Sequence, residues 1–192
     1  RAADQTGRVD YAALYLGAAV IRSGPRATSR SLVDGLPVLN RVAAALALRF
    51  YGHGPEAALT RTHPPTALGQ CWAVERQKAH RKGPQDFGRL TVRLAKPIYV
   101  DSIMIEHPPE EVSGGGTGTA IRAFRVTGYE DEGARGKAWD LGTFEYYSES
   151  GREIRQEFLV NGEDDAGQEI PALLAVSLAI DSNWGGPYTC LY

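Results

Sequence analysis

Apolar and polar positions alternate along the second half of the chain, in short runs that end at turn residues. From Phe87 onward six such runs follow one another: GRLTVRL (88–94), IYVDSIMIEH (98–107), AFRVTGY (123–129), WDLGTFEYY (139–147), IRQEFLV (154–160) and LLAVSLAI (173–180). A two-residue period with many β-branched and aromatic residues is typical of strands that bury one face. Six strands with no helical pattern between them predict an antiparallel β-sandwich of the jelly-roll type.

The first fifty residues carry a different pattern. Residues 10–21 are apolar, with Gly17 among few turn formers, which favours a helix. The stretch from Leu36 to Phe50 places apolar side chains at helical spacing, namely Val38, Leu39, Val42, Leu46 and Phe50. The sequence therefore predicts a mainly β protein, a jelly-roll-like or galactose-binding-like sandwich, with an N-terminal helical segment.

Composition narrows the function classes. The 192 residues are 43% hydrophobic and 23% charged, which is typical of one globular domain and excludes disorder over most of the length. The net charge of the chain is −2, whereas a nucleic-acid-binding protein usually carries a basic patch. No nucleic-acid partner is therefore expected. The longest apolar run, Val42 to Leu48, is too short to span a bilayer, and we expect any targeting or membrane-anchoring part to lie outside this chain.

Two cysteines, Cys71 and Cys190, lie far apart and form no CxxC pair, which argues against a zinc site built from them. From the residues alone they are either two buried thiols or one bridge in an oxidising compartment.

His107 follows an alternating strand directly, beside Glu106. A histidine at a strand end is a candidate general base, and a hydrolase using His107 with Asp101 or Glu106 is one hypothesis. No serine or cysteine in a nucleophile setting such as G-x-S-x-G accompanies it. The residues therefore favour a protein that is not an enzyme.

Several motifs occur together in a characteristic order: VDYA (9–12), GQCWAV (69–74), the stretch from GRLTVRL to IEHPP (88–109), AFRVTGY, LGTFEY (141–146), QEFLV (156–160) and the terminal NWGGPYTCLY (183–192). This order resembles that of SUN domains, which bind KASH peptides in the perinuclear space. The resemblance spans nearly the whole chain and is most specific in the CWA, EHPP and NWGGPYTCLY segments.

The resemblance implies a β-sandwich that assembles as a homotrimer and binds the C-terminal tail of a KASH protein between protomers. A pocket for the carboxylate of that tail would contain His107, the hydroxyl of Thr119 and the ring of Tyr188. A hydroxyl, a phenol and an imidazole are suitable donors for a carboxylate.

The resemblance also implies a disulfide between Cys71 and Cys190. It further implies a monovalent-cation loop, for K⁺ or Na⁺, just before Cys71, to which Gln70 and Tyr192 would belong. An additional cysteine that links some relatives covalently to their peptide has no counterpart in RSGPRATSRS (22–31), so no covalent link is expected.

On this basis we divide the chain into a helical lead-in (1–25), a lid-like segment (26–58) and the SUN-type core (59–192). The predicted helix from Leu36 to Phe50 differs from the hairpin lid of the family. Relatives continue past the last tyrosine with a further β stretch, so we expect this chain to be truncated at its C-terminus.

The leading functional hypothesis is a non-enzymatic tether at the inner nuclear membrane. With a KASH partner it would form the LINC complex that joins the two nuclear membranes and couples the nucleus to the cytoskeleton. The alternative is a carbohydrate-binding or adhesion sandwich of the discoidin type, which would use Trp139 and Arg135 at one rim.

Overall fold

The computed structural model describes residues 8–35, 54–60, 71–75, 87–108, 118–148, 154–164 and 166–192. These residues contain nine β-strands: β1 (Ala19–Val20), β2 (Trp72–Glu75), β3 (Arg89–Ile98), β4 (Ser102–Glu106), β5 (Ala123–Tyr129), β6 (Trp139–Glu145), β7 (Arg155–Leu159), β8 (Leu173–Ile180) and β9 (Tyr188–Leu191). Short 3₁₀ turns lie at Leu14–Leu16, Leu32–Gly35 and Pro55–Leu59.

The main sheet has five antiparallel strands in the order β1-β3-β8-β5-β6. Strand β8 lies at its centre, where Val176 pairs with Val92 of β3 and Leu178 pairs with Val126 of β5. The apolar run LLAVSLAI suits this position, because a central strand has neighbours on both edges and buries most of its side chains.

The second layer includes the two-stranded sheet β4-β7. Phe158 of β7 contacts the rings of Phe124 and Phe144 on the main sheet, with centroid distances of 5.1 and 5.4 Å. These edge-to-face and tilted contacts join the layers and bury the aromatic centre of the core, as expected of a sandwich.

Strands β2 and β9 form a third, two-stranded sheet at one end of the sandwich. Trp72 and Val74 of β2 are buried in the main core. Val74 lies so close to Gly88 that a Cβ on that glycine would come within 2.7 Å of it, and Gly88 has a φ of +121°. Glycine is therefore required where the chain passes β2 before entering β3.

All six strands predicted from the sequence are confirmed, whereas β1, β2 and β9 were not predicted. The predicted helix over residues 10–21 is wrong. Gly17, with a φ of +102°, ends a single 3₁₀ turn, and the chain then pairs with β3 as an edge strand, with Ala19 opposite Arg93. A tertiary pairing thus overrides the local apolar pattern.

The predicted helix from Leu36 to Phe50 lies outside the described residues. Within the described ranges no helix is long and apolar enough to cross a membrane.

Candidate functional site

The centre of the candidate site is a close pairing between residues 118–120 and the C-terminal segment. The Cys190 N–H donates to the Thr119 carbonyl, and the Gly186 N–H donates to the Gly118 carbonyl, both at 2.8 Å. A Cβ on Gly186 would lie only 2.7 Å from the Gly118 oxygen. Thr119 and Tyr188 are therefore carried on two backbone segments that touch each other.

Asn183 fixes the turn that leads into β9. Its side-chain Nδ2 donates to the carbonyls of Gly186 and Tyr188, each at 3.0 Å, and its Oδ1 accepts from the Gly185 N–H at 3.1 Å. Asn183 is 9% exposed, so these bonds are made away from solvent. Sequence reasoning missed this residue, although an asparagine two positions before glycine is a known turn signal.

A disulfide joins Cys71 to Cys190, with 5.5 Å between their Cα atoms, and confirms the predicted bridge. It joins the residue that precedes β2 to β9 on a diagonal, because the direct partner of Cys190 is Ala73, two residues after Cys71. Tyr188 and Tyr192 pack against this small cluster together with Leu32. The aromatic end of the chain is therefore held in place by covalent and packing contacts.

His107 lies at the end of β4 and is 3% exposed. The ring of Tyr192 meets it edge-on, with 5.6 Å between centroids. Its Nδ1 lies 2.9 Å from the Pro108 carbonyl, which suits an N–H donated from that nitrogen, while Nε2 has no hydrogen-bond partner among the described residues. Burial lowers the pKa of His107 below its ordinary value, and the bond to Pro108 opposes this only in part, so the ring is neutral at pH 7.

The structure thus brings Thr119 against β9, which carries Tyr188, and brings His107 against Tyr192. No hydrogen bond joins the side chains of His107, Thr119 and Tyr188 to one another in the part of the chain that is described. Their joint role in a carboxylate pocket stays a prediction.

Tyr146 supports the region beside His107. Its hydroxyl donates to the Ile154 carbonyl at 2.9 Å, and the His107 N–H donates to the same carbonyl at 3.0 Å. Burial, with a further contribution from the negative charge of Glu106, raises the pKa of Tyr146 to about 12.

The hydrolase hypothesis gains no support from this geometry. Glu106 forms an ion pair with Arg155, and the His107 ring nitrogen is directed to a backbone carbonyl rather than to a carboxylate. Asp101 is exposed at the opposite end of β4. A general base needs a nucleophile within hydrogen-bond reach, and the described residues provide none for His107.

Only part of the predicted cation site lies among the described residues. Gln70 lies outside the described residues, as do residues 61–69 of the loop before Cys71. Tyr192 is half-buried against His107. The described residues contain no group of three or more His, Cys, Asp or Glu side chains that could hold a metal. A K⁺ or Na⁺ site built from backbone carbonyls stays a prediction.

Trp139 does not form an open platform for a sugar. It is 8% exposed, its Nε1 donates to Glu130 at 3.0 Å, and the Lys137 ammonium lies 3.3 Å from the ring centroid. Both the edge and a face of the indole are therefore occupied, whereas sugar-binding tryptophans present a free face. The rim formed by Trp139 and Arg135 does not favour the carbohydrate alternative.

Comparison with known proteins is consistent with the motifs. A family model described as Sad1/UNC-like C-terminal matches residues 48–192. The chain is 32% identical to SUN domain-containing protein 5 of Homo sapiens over 74% of this chain and 32% of that protein. It is also 32% identical to SUN domain-containing protein 3 of Bos taurus, over 98% of this chain and 46% of that protein. The chain thus spans 32% and 46% of the length of these two relatives, less than half of each.

A more distant relative is the nuclear migration and anchoring protein unc-84 of Caenorhabditis elegans, with 26% identity over 98% of this chain and 15% of that protein. Among solved structures, allantoicase of Saccharomyces cerevisiae aligns with a TM-score of 0.52 at 13% identity, over 95% of this chain and 41% of that one. That likeness concerns the sandwich fold alone. From the family match and the two relatives at 32% identity, the chain belongs to the Sad1/UNC-like C-terminal family, as a SUN domain.

Proposed function

We propose that this domain is a non-enzymatic receptor for the C-terminal tail of KASH proteins. It acts in the perinuclear space, with its membrane anchor at the inner nuclear membrane in a part of the protein outside this chain. The complex is the LINC tether that joins the inner to the outer nuclear membrane and couples the nucleus to the cytoskeleton. The name of the unc-84 relative, which refers to nuclear migration and anchoring, agrees with this role.

The observation that carries the proposal is the contact between residues 118–120 and β9. It sets the Thr119 hydroxyl and the Tyr188 phenol on adjacent, hydrogen-bonded backbones, and the disulfide at Cys190 fixes β9 in turn. Both groups donate hydrogen bonds, and a terminal carboxylate needs several donors at once. Preformed donors lower the entropic cost of binding a flexible tail.

The domain works as a homotrimer, so that three tails bind one assembly. Trimerisation would raise the strength of a tether through avidity, because release requires every contact to open together. A K⁺ ion in the loop that includes Gln70 and Tyr192 would stabilise the same end of the sandwich. Sedimentation tests the trimer, and thermal melting of the domain with and without K⁺ tests the stabilisation by the ion.

Single hydroxyl deletions test the pocket. We expect Thr119→Val and Tyr188→Phe each to weaken binding of a KASH-tail peptide roughly tenfold or more, since a hydrogen bond to a charged group contributes about 1.5–3 kcal/mol. Tyr147→Phe is the matched control, because Tyr147 is 40% exposed and lies outside the site. Calorimetric titration measures the affinities, and thermal melting verifies that each variant is folded. Unchanged affinity in both site variants, with intact folds, would disprove the pocket.

A further inference from the structure

An asparagine–glycine pair lies at the start of the connection between β7 and β8. Asn161 and Gly162 follow directly after Val160, just beyond the last residue of β7, and both are exposed. A Cβ built on Gly162 meets no atom within 4 Å. Open space therefore lies beside the peptide bond that joins the pair.

This pair holds both groups of an intramolecular reaction. The side-chain amide carbon of an asparagine can be attacked by the backbone nitrogen of the next residue, which closes a succinimide ring. Glycine favours the attack because it has no Cβ to hinder the approach and because its backbone adopts a wide range of dihedral angles. Two groups held next to each other in one chain react without the entropic cost of meeting, so neither a cofactor nor an enzyme is needed.

The backbone on each side of the pair is attached to the sandwich. The Val160 N–H donates to the Asp101 carbonyl at 2.9 Å, and the Ile170 N–H donates to the Gly162 carbonyl at 2.8 Å. Val160 packs against the main core, and Ile170 is buried in it. Asn161 therefore lies between two points at which the chain is fixed.

The turn that follows the pair is closed by its own hydrogen bonds. The Asp164 N–H donates to the Gln168 carbonyl at 2.9 Å, and the Asp164 Oδ1 accepts from the N–H groups of Ala166 and Gln168. Glu163 and Glu169 form an antiparallel bridge across the turn. A change of backbone length at the pair therefore acts directly on an ordered neighbour.

Asn183 provides a contrast within the same chain. It is 9% exposed, and its side-chain amide donates to the carbonyls of Gly186 and Tyr188. The next residue is Trp184, whose bulky side chain hinders attack by its backbone nitrogen. Structure and sequence therefore both direct the reaction to Asn161 and away from Asn183.

We propose that Asn161 is a site of spontaneous deamidation, which converts it to a mixture of aspartate and isoaspartate. The Gly162 nitrogen bonds to the side-chain carbonyl carbon of Asn161, the bond from that carbon to Nδ2 breaks, and ammonia leaves with the proton of the Gly162 amide. Water then opens the succinimide ring, adding its hydroxyl to a carbonyl carbon and its proton to the nitrogen. Opening at the side-chain carbonyl gives aspartate, and opening at the main-chain carbonyl gives isoaspartate, whose backbone runs through the former side chain.

The two products differ in their effect on the loop. Both add a negative charge, but only isoaspartate adds a carbon atom to the backbone between the two fixed points. The added length displaces the Gly162 carbonyl from the Ile170 N–H that it holds. We expect the Ile170 amide to exchange hydrogen faster in the isoaspartyl form than in Asn161→Asp, which has the same charge and a normal backbone.

Incubation of the 192-residue chain in mildly alkaline buffer made with heavy-oxygen water tests the site. Digestion after glutamates releases the peptide Phe158–Glu163, which contains Asn161 but not Asn183. We expect the mass of this peptide to rise with time by a single deamidation with incorporation of the heavy oxygen. Part of the product should be methylated by an isoaspartyl methyltransferase, and the peptide that contains Asn183 should stay unchanged.

Gly162→Ala is the matched control. Its added methyl group meets nothing in the folded domain but hinders ring closure at the adjacent nitrogen, so we expect conversion to be at least about tenfold slower. Conversion of this variant at the parent rate, equal conversion of Asn161 and Asn183, or no conversion of Asn161 overturns the proposed site. Equal exchange of the Ile170 amide in the isoaspartyl and Asn161→Asp forms overturns the proposed effect on the loop.

Discussion

Replacing Gly186 with alanine tests the close contact on which the candidate site depends. The new Cβ would lie 2.7 Å from the Gly118 oxygen, 2.8 Å from its carbonyl carbon and 2.9 Å from the Thr119 nitrogen. All three are backbone atoms, so no side chain can move aside. Since ordinary contact begins near 3.4 Å, the two segments must separate by about 0.7 Å.

That separation has a calculable cost. It lengthens the 2.8 Å bond from the Gly186 N–H to the Gly118 carbonyl to about 3.5 Å, which is beyond useful hydrogen-bond length. Loss of this bond costs about 1 kcal/mol, and the remaining strain about 1–3 kcal/mol. We expect Gly186→Ala to lower the unfolding free energy by about 2–4 kcal/mol, and the melting temperature by roughly 4–16 °C.

Urea and thermal unfolding measure the effect, and Gly162→Ala is the matched control. A Cβ on Gly162 meets nothing within 4 Å, so its effect should stay within about 0.5 kcal/mol. KASH-tail affinity should fall with Gly186→Ala as Thr119 moves away from Tyr188. If the two alanine variants melt at the same temperature, the close contact and the reasoning built on it are refuted.

Three other predictions concern stability. Replacing both Cys71 and Cys190 with alanine should cost about 2–5 kcal/mol in urea unfolding, because the disulfide closes a sequence separation of 119 residues; a smaller change than 1 kcal/mol would contradict a stabilising bridge. Asn183→Asp replaces the two hydrogen bonds that the amide donates to carbonyls with repulsion between a carboxylate and those carbonyls. The free energy of unfolding should fall by about 2–4 kcal/mol. A variant as stable as the parent would show that the turn does not need these two hydrogen bonds. The pKa of Tyr146 is raised to about 12 from 10.0. The neutral Tyr146 side chain therefore contributes its full share to the free energy of unfolding below pH 10, and this contribution is lost as the pH rises to about 12. Between pH 10 and pH 12 the free energy of unfolding should therefore fall less steeply in Tyr146→Phe than in the parent chain. Parallel pH dependences of the two proteins would exclude the effect.

The sequence predicted the six strands β3 to β8 because each buries one face. Burial of one face places apolar and polar residues in alternation and favours β-branched side chains. Strands β5 and β8 begin and end where the pattern does, at Ala123–Tyr129 and Leu173–Ile180. Strands β2 and β9 have four residues each, too few for periodicity to identify them, and they are stabilised by each other and by the disulfide. Their pairing joins residues more than a hundred positions apart, which no local pattern reveals.

The N-terminal error has a related cause. Residues 10–21 are apolar because the turn at Leu14–Leu16 and strand β1 pack on the sandwich, not because one face of a helix is buried. At the site, the resemblance identified the disulfide correctly. The roles of Asn183 and Gly186 depend on backbone proximity, so they became visible only in three dimensions.

The central claim is that this domain reads the terminal carboxylate of a KASH tail. The most direct measurement titrates the proposed trimer of this domain with a KASH-tail peptide and with the same peptide extended by one residue. The account predicts binding of the first and at least about a hundredfold weaker binding of the second, because the extension displaces the carboxylate from its donors. Equal affinity for both peptides, or no binding of the native tail by a folded trimer, would contradict it.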